Sequence, residues 1–287
     1  IIMIVDLHAL TSTKDPAKLS QNIKMLTATY LAAGLDAEKN ILFQQSRVPE
    51  VTELAWIFAT LARMSELERM TQYKDKAIVH GQNVNIGIFT YPILMAADIL
   101  LYEPAIVPVG EDQKQHVELA RDTAERFNST FKETFKIPEP HIPEVGARIM
   151  SLDDPSKKMS KSSPSEKSYI AITDEPDVIR KKVMSAVTDD VGIVNYTDDQ
   201  PGVKNLLNIL SLATDKTPDE LVEDFDGKGY GDLKKAVAEA LVTYFEPIKY
   251  KINAHLEDEK GLIEVLDKGA ARAQEIAIKK MIEVKAA

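Results

Sequence analysis

Ile1-Ile2-Met3-Ile4-Val5, then Asp15-Pro16, then Ile41-Leu42-Phe43 mark out a strand, a helix and a second strand at the start of the chain. Five consecutive apolar residues, four of them β-branched, suit a buried parallel strand. Asp15 can cap the helix with Pro16 at its first position, where a missing N–H costs nothing. Leu19, Ile23, Leu26 and Tyr30 recur at spacings of four, three and four and so share one helical face, which Gly34 can close. This order predicts a parallel sheet with right-handed crossovers, whose ligands gather at the carboxyl ends of the strands. His8 and Gln45 lie at such ends. Because Ile1 reads as mid-sheet, preceding residues are expected.

The pattern continues downstream. Pro49 opens a helix through Leu54, Ile57 and Leu61 that carries the sole tryptophan, Trp56, read as core or interface. A short amphipathic stretch runs from Ser65 to Lys76. Tyr91 to Tyr102 is apolar nearly all round, which predicts a buried helix. Ile106-Val107-Pro108-Val109 reads as a strand stopping at Gly110-Glu111-Asp112-Gln113, and helical spacing resumes with Val117, Ala120, Ala124 and Phe127. A proline-rich connection, Ile137 to Pro143, leads to Arg148-Ile149-Met150. After about Thr173 only helix signals remain. The expected class is α/β: a Rossmann-like parallel-sheet domain over residues 1–173 and an all-helical domain over 174–287.

Composition narrows the function. At 287 residues and 44% hydrophobic the chain can bury a large core. Having no cysteine, it lacks disulfides, thiolate metal sites and a cysteine nucleophile. No apolar run approaches the roughly 20 residues of a membrane span, and no basic leader precedes a cleavage site, so a cytoplasmic protein is expected. With 45 acidic against 35 basic side chains the net charge is -10, so a nucleic-acid partner has to be met by local basic patches. There is no Gly-x-x-x-x-Gly-Lys-Ser/Thr and no Gly-x-Gly-x-x-Gly. The histidines, His8, His80, His116, His141 and His255, show no metal spacing; no metal site is expected, and His116 reads as structural.

Three places concentrate chemistry. Lys157-Lys158-Met159-Ser160-Lys161-Ser162 gathers lysines and pliable residues in an acidic chain, as a loop that grips and releases a polyphosphate requires. Asp98 interrupts an apolar helix, where burying a carboxylate without a donor costs several kcal/mol. Its partner is either a neighbouring backbone group or tyrosine, or a ligand's polar hydrogen in an apolar pocket that Met95 can share from one turn away. Gly110-Glu111-Asp112-Gln113 sits where a strand gives way to a helix, a place where backbone amides can point at a ligand. Asp112 there is read either as an ordinary helix cap or as part of the site.

Several segments together resemble the bacterial type of tryptophan-specific class I aminoacyl-tRNA synthetases. They are Val5-Asp6-Leu7-His8-Ala9, Glu66 to Lys74, Tyr91-Pro92 with Met95-Ala96-Ala97-Asp98, Val107 to His116, Gly146 to Leu152, and Lys157 to Ser162. The lysine loop marks class I synthetases generally, whereas Val107 to His116 with Met95 to Asp98 is more specific. The resemblance spans nearly the whole chain. It implies ATP-dependent activation of L-tryptophan to the adenylate with release of pyrophosphate, then transfer to tRNA(Trp). By the same resemblance Asp98 accepts the indole N–H, and Met95, Val107 and Val109 pack the ring, with His8 nearby. Tyr91 and Gln113 hold the ammonium. Gly110, Glu111, Asp112 and Ile149 meet the nucleoside, while Lys158, Met159, Ser160, Lys161 and Ser162 form the phosphate loop, with Lys158 and Lys161 the catalytic pair. Mg²⁺ is expected through the ATP phosphates, a homodimer is expected from the family, and Arg180-Lys181-Lys182 is the clearest basic cluster for the anticodon end.

The family's glycine-rich strand end and His/Leu/Ile-Gly-Asn-type signature do not occur in these residues. That leaves two alternatives, a tyrosine-specific synthetase and a non-catalytic binding protein of the same fold. A site that pairs a buried carboxylate with one N–H is expected to reject phenylalanine by about 10⁴- to 10⁵-fold, with tyrosine the closer competitor.

Overall fold

The computed structural model describes residues 1–71, 73–74, 85–142, 149–161 and 163–287, and of Glu111 the backbone alone. Gln72, His80, Gly146, Ala147, Arg148 and Ser162, named above, therefore lie outside the described residues, as does Lys76. The chain divides into two compact units, Ile1–Glu144 with His255–Ala287, and Val145–Ala254. The expected division at residue 173 is thus corrected at both ends, for reasons visible in the packing of each unit.

In the first unit, β1 (Ile2–Ile4) pairs in parallel with β2 (Leu42–Gln44) in the register Ile2 to Leu42 and Met3 to Phe43. Between them run a short helix α1 (Asp6–Ala9) and α2 (Pro16–Ala32). The Asp15 carboxylate accepts from the amides of Ala17 and Lys18, as its cap role requires. Gly34, at φ +99°, ends the helix: its amide bonds to Leu31 and that of Leu35 to Tyr30, the paired bonds of a glycine-closed terminus. The inward face is shifted from the expected one, since Leu26 is exposed and Thr27 and Ala28 are buried. Strand alternation sorts β1 into two faces. Ile2 and Ile4 pack with Leu42, Ile23 and Leu266, and Ile1, Met3 and Val5 line a cavity.

Helices α3 (Glu50–Leu61), α4 (Met64–Glu68), α5 (Ile86–Leu100) and α6 (Lys114–Thr130) build the main core around Leu54, Phe58, Ile93, Leu100 and Phe127. Trp56 is 74% exposed and so belongs to no core. The proline-rich connection contains a strand, β4 (Glu139–His141), parallel to β3 (Ile106–Pro108). Pro140 can sit there because β4 has a partner in β3 alone among the described strands, which leaves its other edge without a ladder.

The last helix, α11 (Glu259–Ala286), belongs to this unit rather than to a helical domain. Gly269 explains the fit: a Cβ there would lie 1.9 Å from the Leu42 carbonyl oxygen, so only glycine lets the helix lie against β2. Arg272 donates to the carbonyls of Ala37, Glu38 and Asn40. Farther along, Lys280, 6% exposed, pairs with Glu103 at 2.9 Å.

The second unit contains α7 (Pro176–Met184), α8 (Pro201–Thr214), α9 (Pro218–Asp224) and most of α10 (Tyr230–Glu257). Their core comprises Ile179, Val183, Val203, Leu206, Leu207, Leu233 and Val237. Thr217 and Glu220 form a reciprocal cap at the start of α9. The lysine loop belongs to this unit because its base is anchored here: Leu152 sits in the helical core. Asn205 of α8 accepts from the Met150 amide and donates to its carbonyl, both at 2.8 Å. The observed architecture is an α/β, Rossmann-like unit with parallel strand pairs and a helical unit, in agreement with the expected class.

Candidate active site

A cavity of about 830 Å³ opens in the first unit, walled by β1, α1, α5 and the segment 104–108. Its lining is mostly apolar: Met3, Val5, Met95, Ile99, Ile106 and Val107, with His8, Tyr91, Asp98, Tyr102 and Gln113 as polar groups. Such a wall suits a large flat hydrophobic side chain with few polar atoms. Asp98 and Met95 both face it, as their spacing on one helix requires.

Asp98 is partly buried, its side chain 11% exposed, and its donors are neither backbone nor tyrosine. The Gln45 amide donates to both carboxylate oxygens, at 2.8 and 2.9 Å, and His8 Nε2 lies 2.7 Å from Oδ2. Gln45 is fully buried in a 3₁₀ turn at the end of β2. Its own carbonyl accepts from the amides of Leu7 and His8, at 3.1 and 3.4 Å. One residue earlier, Gln44 donates to Asp6 at 2.7 Å, and Asp6 also accepts from the Ser46 amide at 3.0 Å. The carboxyl ends of β1 and β2 are thereby tied together, and Asp98 is tied to both. Gln45 stood at a strand end in the sequence, but nothing about a lone glutamine marked it as a partner of Asp98.

Tyr91 points its hydroxyl at His116 Nε2, 2.8 Å away, so His116, 1% exposed, holds a cavity residue in place. Burial pushes the Tyr91 phenol up to about 12 and keeps it a neutral hydrogen-bonding group. Burial, and then the charges of Asp98 and Glu50, raise Tyr102 as well. The Tyr102 hydroxyl is buried with no hydrogen-bond partner among the described residues.

Val107 and Gln113 line the cavity, but Val109 packs against the main core instead of standing in the wall. A Cβ at Gly110 would come within 2.7 Å of Asp112 Oδ1, so a larger residue there would push the Asp112 carboxylate aside. Asp112 does not cap α6. Residue Gln113 occupies the cap position without a side-chain bond, and it donates to Asp112 at 2.8 Å.

The lysine loop grows from a two-stranded base in the second unit. Met150 pairs with Lys158 in an antiparallel bridge, the Ser151 amide donates to Lys157 and that of Met159 to Ile149. Lys157 is spent locally on Asp154, at 2.7 Å, which holds that carboxyl down to about 2. Lys158 and Lys161 are exposed and have no ion pair among the described residues. Met159 is half-buried against the helical core, lining an apolar cavity with Ile149, Ile170 and Phe245. The Arg180-Lys181-Lys182 cluster is corrected. Arg180 is held by Glu239 and Asp177, and Lys182 is buried on Asp174, which leaves Lys181 as its exposed cation.

Parallel strand pairs and the basic loop agree with the class I synthetase resemblance of the sequence. The family described as tRNA synthetases class I (W and Y) matches residues 1–246, and the chain belongs to it. The tryptophan–tRNA ligase of Clostridium perfringens is 52% identical over 276 residues, covering 96% of this chain and 83% of the relative. That of Bacillus subtilis is 51% identical over 277 residues with the same coverage. Among solved structures, Mycoplasma pneumoniae tryptophanyl-tRNA synthetase superposes with a TM-score of 0.89 at 36% identity, over 99% of this chain and 86% of that one. The Campylobacter jejuni enzyme complexed with ADP and tryptophan gives 0.86 at 38% identity, over 98% and 87%.

Proposed function

We infer that this chain is a tryptophan–tRNA ligase, which joins L-tryptophan to ATP as the adenylate and passes the aminoacyl group to tRNA(Trp). The observation that carries the reading of the cavity is Asp98, a partly buried acceptor held by Gln45 and His8 in a mostly apolar wall. An indole offers what that wall lacks, one N–H on a flat hydrocarbon surface. Met95 and Val107 pack the ring, Tyr91 and Gln113 receive the ammonium, and His116 keeps Tyr91 turned toward it. The nucleoside is assigned to the turn Gly110-Glu111-Asp112.

In the first step the tryptophan carboxylate attacks the α-phosphorus of ATP, and the bond to the β-phosphate oxygen breaks. No covalent enzyme nucleophile is needed. Lys158 and Lys161, exposed and without an ion pair among the described residues, stabilise the charge that builds on the departing pyrophosphate. Among the described residues no three carboxylate or imidazole ligands gather at one point, and we assign Mg²⁺ to the ATP phosphates. The helical unit receives the anticodon end of the tRNA, with Lys181 available at its surface. A homodimer is assigned from the family; exposed apolar side chains on the first unit that such a contact would cover are Met64 and Ile86, which line one groove, and Trp56, 74% exposed. No helix among the described residues is long and apolar enough to cross a membrane, and we place the protein in the cytoplasm.

Pyrophosphate exchange tests the activity directly. Exchange that depends on tryptophan and not on tyrosine is expected; dependence on tyrosine alone would transfer the cavity to the other amino acid, and no exchange with either would favour the non-catalytic alternative. Light scattering checks the dimer, with Trp56→Glu expected to give a monomer.

A further inference from the structure

We propose that Gln45 is a positioning residue that decides how strongly the cavity prefers a ring bearing an N–H. The proposal rests on the assignment of the cavity to tryptophan. A glutamine amide has one end that accepts and one that donates, and hydrogen positions must be deduced from partners. Here the partners leave one solution. The backbone amides of Leu7 and His8 can only donate, so the end they meet is the carbonyl, and the NH₂ faces Asp98. Gln45 is fully buried, out of contact with bulk solvent. The amide nitrogen then stands between the two carboxylate oxygens, at 2.8 and 2.9 Å, and shares its N–H between them, which fixes the direction of the carboxylate axis, while His8 on Oδ2 fixes its rotation.

Counting acceptor sites gives the consequence. A carboxylate offers about four lone-pair positions. The shared N–H of Gln45 covers the inner position of both oxygens and His8 takes the outer position on Oδ2, which leaves one, the outer position on Oδ1. The carboxylate is therefore able to take one further donor, in a direction that the amide and His8 have fixed. A ring N–H placed there completes the set. A ring of the same shape without the hydrogen leaves a single position unfilled rather than a bare anion, so rejection of such a ring is graded by how well that position is aimed. Gln45 does the aiming without touching the ligand: it does not line the cavity.

The test is equilibrium binding by calorimetry of L-tryptophan and of its benzothiophene isostere, in which sulfur replaces the ring N–H. Wild type is expected to bind tryptophan about 10- to 100-fold more tightly than the isostere, the range for one hydrogen bond to a charged acceptor. Gln45→Met should bring that ratio below about threefold, mainly by weakening tryptophan. Gln45→Asn, whose amide stops one methylene short of Asp98, should do the same and guards against failure of the methionine variant to fold, which circular dichroism melts would reveal. A ratio that stays at the wild-type value while both ligands weaken together would overturn the proposal, because a merely structural glutamine affects both rings alike. Asp98→Ala separates the two readings. If it abolishes the ratio and the Gln45 variants do not, the proposal fails alone; if it too keeps the ratio, the assignment of Asp98 to the indole fails.

Discussion

In the cavity of the first unit the polar side chains assigned to tryptophan are engaged before any ligand arrives: Asp98 by Gln45 and His8, Tyr91 by His116, Gln113 by Asp112. On the loop of the second unit the order is reversed. The backbone at its base is clamped by Asn205, while Lys158 and Lys161 stand exposed without an ion pair among the described residues. The contrast matches two tasks. Recognition of one hydrogen on an indole needs a rigid acceptor, because misaligned hydrogen bonds weaken steeply with angle. Stabilising a leaving pyrophosphate needs charge that develops its contacts only as the bond breaks, and a lysine already paired in the fold would have to give up that partner first.

Lys161→Ala is the sharpest way to break the contrast. If the loop acts only on charge in the transition state, the activation rate falls by about 10²- to 10³-fold while tryptophan affinity stays within about twofold. Single-turnover formation of the adenylate, set beside calorimetric tryptophan binding, checks it. A comparable loss in both measurements would mean that the loop also orders the amino-acid cavity. Asp98→Ala should do the converse. Tryptophan affinity falls about 100-fold, from the lost bond and the stranded donors of Gln45 and His8, while ATP affinity in the absence of tryptophan is unchanged. A variant that weakens ATP equally would mean that the site does not divide along these lines.

Much of this division was legible in the sequence. The strand-helix-strand opening, the Asp15 cap, the Gly34 terminus and the apolar helix around Asp98 all rest on local rules, and local rules held. What escaped is what depends on distant residues. The brace on Asp98 joins positions 53 residues apart, with nothing in the spacing to announce it. The return of α11 to the sheet depends on a glycine at position 269 meeting a carbonyl at position 42. Arg180 and Lys182 looked free because their acidic partners, Glu239 and Asp174, come from other segments. Depletion of the Asp98 acceptor sites by those same long-range bonds lowers the expected rejection of phenylalanine from about 10⁴ to 10⁵, the figure for an uncompensated buried group, toward the range of a single hydrogen bond.

A smaller effect is expected at the base of the loop. Asn205→Ala removes both bonds to the Met150 backbone and leaves a buried N–H and carbonyl unsatisfied, at a cost of about 1–3 kcal/mol. Urea melts measure that loss. If the clamp serves the loop as well as the helical core, the activation rate should also fall several-fold with tryptophan binding intact, and an unchanged rate would confine Asn205 to stability.

The smallest effect concerns a charge in the first unit that is paired for stability alone. Glu66 lies at the start of α4, accepts from the Arg63 amide at 3.2 Å, and meets the Arg126 guanidinium of α6 with both oxygens, at 2.5 and 3.0 Å. Burial would raise its pKa, but the hydrogen bonds from Arg126 and the Arg63 amide and the charge of Arg126 outweigh burial and hold it below the ordinary 4.5. A carboxyl lowered in the folded state contributes stability above its unfolded value and loses that contribution as the pH falls through the folded one. Glu66→Gln should therefore be less stable than wild type by about 1 kcal/mol at pH 7, with the gap closing below pH about 4.5. Urea midpoints at pH 7 and at acid pH give the comparison. Tryptophan and ATP binding should not move at neutral pH, since neither oxygen of Glu66 faces the cavity; a change in tryptophan affinity would show that the cavity's rigidity extends through α6 to this pair.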